Sequence, residues 1–181
     1  MLDAKKPFNL YLQLALISIP VAFISYLFHE FGHWSVGEIM GNRMAYRLNG
    51  AWPVNGQYLN PRHGLYSSIA GPAFSILQAL IALIFIEKLK SIYAFPFLFF
   101  PLFMRFFSIT FGGFNKQDEA GISASLGIGT YTVAILVIVI SILIIWRGAY
   151  KLKLTFKEVN YFILISTLCD LLVIGTDSLL K

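Results

Sequence analysis

The sequence predicts an all-α polytopic membrane protein with about five transmembrane helices and a small β-hairpin-like loop after the first. Composition is the first observation behind this. Of 181 residues, 57% are hydrophobic and 13% charged, and the mean hydropathy is +0.73. A soluble domain carries roughly 25% charged residues. The second observation is a series of apolar stretches, each near the roughly 20 residues a bilayer crossing needs. The third is a polar interval, Gly41 to Gly64, holding two Asn-Gly pairs at Asn49-Gly50 and Asn55-Gly56.

The first apolar stretch runs from about Phe8 to Met40, longer than one crossing, with Pro20 as a candidate kink. The second covers about Leu65 to Ile86. The third covers about Ile92 to Phe111 and contains Pro96 and Pro101, which membrane helices tolerate when neighbours satisfy the freed carbonyls. Thr130 to Trp146 forms the fourth and Val159 to Leu179 the fifth. Asn-Gly favours tight hairpin turns, so Ala45–Leu48 and Gln57–Leu59 are candidate strands, an ordinary loop being the simpler reading. An exposed edge there offers a place for an extended substrate to pair by strand addition. Without a repeat, low-complexity tract or long linker, residues 1–181 read as one transmembrane domain.

Charge adds an orientation. With five spans, Lys5, Lys6, Lys88, Lys90, Arg147, Lys151, Lys153 and Lys157 share one side, while Arg43, Arg47, Arg62, Lys116 and Lys181 share the other. The excess favours the first side as cytoplasmic. The net charge of +5 fits loops facing anionic lipid. No basic cluster is interleaved with aromatics in a polar segment, so nucleic acid is not an expected partner. The single cysteine, Cys169, excludes an intrachain disulfide. The apolar run after Lys6 lacks a small-x-small site before His29, so cleavage as a signal peptide is not expected.

The chemistry lies at the end of the first stretch, in His29-Glu30-Phe31-Gly32-His33. On a helix, histidines four apart stack on one face and can grip one ion. Glu30 projects about 100° round the helix from His29, within reach of a water on that ion. Two histidines and a glutamate in five residues are costly in lipid without a function. A zinc hydrolase site usually takes three protein ligands and a water. Glu38, five residues past His33, falls about 140° beyond a full turn and faces away. The motif ends the first span, and the third span returns to that same face, so Asp118 and Glu119 can approach it. Asp118 is the first choice of third ligand, Glu119 the second. Asp170, midway along the last span, is a distant third and reads better as a buried hydrogen-bonded or ion-paired group. His63 reads as an exposed loop histidine, Arg105 as a side chain snorkelling to the interface, and the Phe95–Phe107 stretch as lipid-facing or packing surface.

These residues resemble the site-2 protease group of intramembrane zinc metalloproteases. His29-Glu30-Phe31-Gly32-His33 matches its H-E-x-G-H element. Ala70-Gly71-Pro72 looks like its Gly-Pro element, which packs beside the metal helix. Asn115 to Asp118 looks like its distal Asn-to-Asp segment, whose Asp is the third zinc ligand. The likeness covers the first through third spans, and the last two match only in being hydrophobic. It implies a zinc-dependent endopeptidase holding one Zn2+ per chain, with His29, His33 and Asp118 as ligands, Glu30 as general base and Asn115 as a polar contact to substrate. The substrate would be a membrane protein or peptide cut in or near a spanning segment. Two departures stand out. Asp118-Glu119 replaces the family's Asp-Gly, which leaves both carboxylates open. Ala73-Phe74-Ser75 follows the Gly-Pro element where an Asn is usual, so that Asn's role does not carry over. The alternative function is a catalytically inactive zinc-binding scaffold or regulator. A metal transporter is disfavoured, because no second His/Asp layer follows the first.

Overall fold

The computed structural model describes residues 8–180, so Lys5, Lys6 and Lys181, with the charges assigned to them above, lie outside the described residues. The element order is α1 (Phe8–Ile39), β1 (Met44–Arg47), β2 (Gly50–Pro53), α2 (Pro61–Leu89), α3 (Phe95–Phe111), α4 (Asp118–Leu126), α5 (Thr132–Leu152) and α6 (Phe156–Leu179). A 3-10 turn at Ile92–Ala94 leads into α3, and another at Phe114–Lys116 leads towards α4. Five helical segments are long and apolar enough to cross a membrane: Leu10–Ile39, Pro61–Leu89, Ile92–Phe111, Thr132–Leu152 and Phe156–Leu179. The polarity of the bundle agrees with that reading. Its outer faces carry Leu16, Ile24, Leu136, Leu143, Leu164 and Leu171, all exposed, while Ser18, Ser25, Ser75, Ser141 and Ser166 are buried. In lipid, small polar side chains at helix contacts allow close approach and hydrogen bonding, and no penalty attaches to exposed leucine.

The third span is the axis of the molecule. It packs against α1, α2, α5 and α6. Phe95, Phe99, Phe103 and Phe107 therefore serve as packing, joining Leu14, Ala79, Ala82, Ile144 and Phe162 in the larger core cluster, while Phe97 and Phe106 stay exposed. Phe100 and Met104 face a second cluster with Val21, Ala22, Tyr26, Cys169 and Val173. At about 1.5 Å per residue, the 32 residues of α1 exceed the roughly 30 Å hydrocarbon layer. The histidine motif thus sits well towards one face, reached after about 21 residues of rise.

Several boundaries are set by side chains. Asn60 caps α2 by accepting from the Arg62 amide, with Pro61 in the first helical position, so α2 starts four residues before the expected Leu65. His63 consequently lies in the first turn of that helix, 3.2 Å from the Asn42 side-chain nitrogen, and not in a loop. Asn42 also donates to Gly37 O and accepts from the Leu59 amide, which ties the end of α1 to the approach of α2. Glu38 does face away from the histidines: it accepts from the Met44 amide at 2.7 Å.

The hairpin differs from expectation in its second strand. β1 pairs antiparallel with Gly50–Pro53, not with Gln57–Leu59, and Arg47 opposes Gly50. Leu48 and Asn49 alone make the turn, and Gly50 opens β2 with φ +155, a value that glycine adopts without strain. Asn55-Gly56 forms a separate turn, closed by the Gly56 amide on Pro53 O, with Gly56 at φ +78. Leu48 at the tip packs against the second core cluster, and Arg47 reaches Asp177 near the end of α6 at 3.4 Å. Packing of the half-buried Leu48 is the reason a turn without the usual glycine pattern holds here: tertiary contact outweighs local turn preference. The short helix α4 was not expected at all.

Candidate metal centre

Each imidazole in the motif is oriented by α2. His33 Nδ1 lies 2.7 Å from Ser67 O, a carbonyl that only accepts, so Nδ1 carries the proton. His29 Nδ1 lies 3.0 Å from Ser75 Oγ. Its other nitrogen, Nε2, lies 3.2 Å from Arg105 Nη1, which only donates. His29 therefore also carries its proton on Nδ1. Both neutral rings then turn an Nε2 lone pair towards the same point, 3.1 Å from one another.

Glycines make this approach possible. A Cβ on Gly71 would fall on the His33 imidazole and lie 2.8 Å from His29 Cε1. A Cβ on Gly32 would lie 2.8 Å from Ala70 O. The Gly71-Pro72 element thus packs beside the motif helix, as its resemblance implied. Serines stand four residues to either side of Gly71, and both are buried. Ser67 Oγ donates to His33 O at 3.0 Å, and Tyr58 donates to Ser67 Oγ at 3.0 Å.

Asp118 opens α4, where a carboxylate is favoured by the helix dipole. Its Oδ2 comes within 3.3 Å of His29 Nε2 and 3.5 Å of His33 Nε2. Asp118 Oδ2 also accepts from Arg105 Nη2 at 3.1 Å, which favours the carboxylate form. His29, His33 and Asp118 form a group that can hold a metal ion.

The other carboxylates go elsewhere. Consecutive residues in the first turn of α4 point about 100° apart, so Glu119 faces Arg105, with Nε to Oε1 at 3.1 Å and Nη2 to Oε2 at 2.8 Å. Glu119 is 0% exposed. Asp170 accepts from Tyr26 at 3.1 Å and is buried, in line with the hydrogen-bonded reading of it. Arg105 corrects an expectation: it does not snorkel. It is 5% exposed and pairs with both Asp118 and Glu119.

A polar cavity of about 240 Å3 opens onto the group, lined by Glu30, His29, His33, Arg105 and Asp118, with Tyr26, Tyr58, Lys116 and Gln117 around them. Asn49, Gly50 and Ala51 of the hairpin form part of its wall. Asn115 is not brought to it. That residue is exposed and lines a different depression with Ala120, Ser123 and Gly127, because the 3-10 turn carries Lys116 and Gln117 to the cavity instead. Sequence reasoning missed the serines, although their spacing of four on either side of Gly71 placed them on the same helix face.

No protein-family model, curated protein or solved structure matches the chain.

Proposed function

We propose that this chain is a zinc-dependent intramembrane endopeptidase that hydrolyses a peptide bond in or beside a membrane-spanning segment. The observation that carries the reading is the convergence of three ligand atoms, His29 Nε2, His33 Nε2 and Asp118 Oδ2, at 3.1, 3.3 and 3.5 Å from one another, on a cavity that Glu30 also lines. The donor set fits zinc. Atoms bound at about 2.0–2.2 Å to a tetrahedral zinc lie about 3.3–3.6 Å apart, and two histidines with one carboxylate are a hydrolase's ligand set. Arg105 donates to His29 Nε2 and Asp118 Oδ2 but not to His33 Nε2, whereas a metal ion at the common point would engage all three.

Bound there, zinc would polarise the scissile carbonyl and bring the pKa of a water near neutrality. The chain supplies the rest. Glu30, 6% exposed, takes the proton of the attacking water on its carboxylate and returns it to the leaving amine. Ser67 and Ser75 keep the two Nε2 atoms turned inwards. A helical substrate shields its peptide bonds, so the cut segment has to be extended. The hairpin wall at Asn49, Gly50 and Ala51 offers backbone groups along which such a segment can lie.

Metal analysis of the detergent-purified protein tests the ligand set. We expect one zinc per chain in wild type and in Glu119→Gln. Asp118→Ala should weaken zinc by more than the roughly 10–100-fold seen when a partner outside the coordination sphere is lost. If Glu119→Gln empties the site and Asp118→Ala does not, the assignment is wrong. Ser75→Ala, which removes the group orienting His29, should cost about tenfold in zinc affinity by chelator competition.

A further inference from the structure

Arg105 lies inside the third span and is almost fully buried. A charge at such a place is rare, costly and faces a partner or a cavity. Here it does both. Glu119 receives Nε and Nη2 in a two-point clamp, and this fixes the plane of the guanidinium. Nη2 also reaches Asp118 Oδ2 at 3.1 Å. Nη1 is left outside the clamp and points to His29 Nε2. Arg105 lines the cavity beside Glu30 and Asp118, whereas Glu119 stands behind it.

The acceptor of Nη1 is a lone pair that a metal would claim. Once it is claimed, Nη1 is a buried donor beside the cavity that has lost that acceptor, and the clamp to Glu119 holds it in place. A buried donor needs an acceptor, and the one that arrives there is the substrate.

We propose that Arg105 is a further catalytic residue, its Nη1 donating a hydrogen bond to the carbonyl oxygen of the scissile peptide as that oxygen becomes an anion, with Glu119 as its positioning residue. This rests on the hydrolase reading above. In the addition step, the water oxygen bonds to the carbonyl carbon, the carbonyl π pair moves onto oxygen, and the water proton passes to Glu30. In the elimination step, that pair re-forms the carbonyl, the carbon–nitrogen bond breaks, and the nitrogen takes the proton from Glu30. Arg105 remains protonated throughout. Donors placed where charge develops cost no reorganisation at the moment of reaction.

The test uses the full chain loaded with Co2+, whose visible bands report its ligands. Inorganic phosphate serves as a tetrahedral oxyanion and imidazole as a neutral ligand of the same ion. In Arg105→Lys, we expect Co2+ to be retained, phosphate affinity to fall about tenfold or more, the size of one lost charge-assisted hydrogen bond, and imidazole affinity to hold. Phosphate and imidazole weakening together would mean that Arg105 only shapes the site, and unchanged phosphate affinity would remove its role; either overturns the proposal. If Arg105→Lys does not hold Co2+, Glu119→Gln decides. It keeps Arg105 and slackens the clamp, so phosphate must again weaken selectively. Wild type that binds no Co2+ sinks the hydrolase reading itself, a result distinct from loss of the Arg105 role alone.

Discussion

Glu30→Gln is expected to stop hydrolysis while leaving bound zinc at the wild-type level. Glutamine keeps the shape of the side chain and removes its capacity to take a proton. Glu30 is not one of the three atoms converging on the metal position, so its replacement costs no ligand. It lies on the same helical turn as His29 and lines the same cavity, so it is in place to act on a water there. Loss of a general base typically costs about 10²–10⁴-fold in rate. The measurement pairs cleavage of transmembrane peptides in proteoliposomes with metal content of the same preparations. Retained zinc with lost cleavage separates a peptidase from a scaffold. Cleavage at the wild-type rate in Glu30→Gln would refute the assigned base, and an inactive wild type with full zinc would favour the scaffold.

How far the site could be read from sequence depended on the range of the contacts. His29, Glu30 and His33 are related by helical periodicity alone, so their spacing in the chain is their spacing in space. Asp118 was reachable by topology, because the number of crossings decides which loops meet at one membrane face. Nothing comparable points to Arg105. A charge close to the end of a span is ordinarily drawn to the interface, and its partner Glu119 is 14 residues away. Their meeting depends on how the chain turns through Phe114–Lys116 and starts α4. That helix escaped notice for a related reason. Its nine residues, DEAGISASL, include a glycine and small polar side chains with no apolar stripe, and it is held by packing on α2 and α5. Short helices gain most of their stability from such packing and little from propensity. The hairpin shows the same limit on a smaller scale. Asn49-Gly50 marked the neighbourhood of the turn, but the register follows from Leu48, which needs the bundle core to pack against.

Gly71→Ala is expected to damage the centre through a single methyl group. The added Cβ would fall on the His33 imidazole and 2.8 Å from His29 Cε1. The rings cannot retreat without cost, since His33 is bonded to Ser67 O and His29 to Ser75 Oγ on the same helix that carries the new methyl. Nor can the helices slide together elsewhere, because Gly32 already meets the backbone of Ala70. Either α1 and α2 move apart, or the two Nε2 atoms turn off their common point. Overpacking of this kind costs about 1–3 kcal/mol, and loss of ligand geometry should weaken metal by at least the roughly 10–100-fold of a displaced orienting group. The contrast is Gly175→Ala in α6, where nothing lies within 4 Å of the new Cβ; there alanine should gain about 0.5–1 kcal/mol from helix preference and leave metal affinity alone. Chelator competition together with thermal unfolding in detergent compares the two. Gly71→Ala with wild-type metal affinity would show that α2 does not set the histidine geometry, and the role given to the small-residue contact between α1 and α2 would fall.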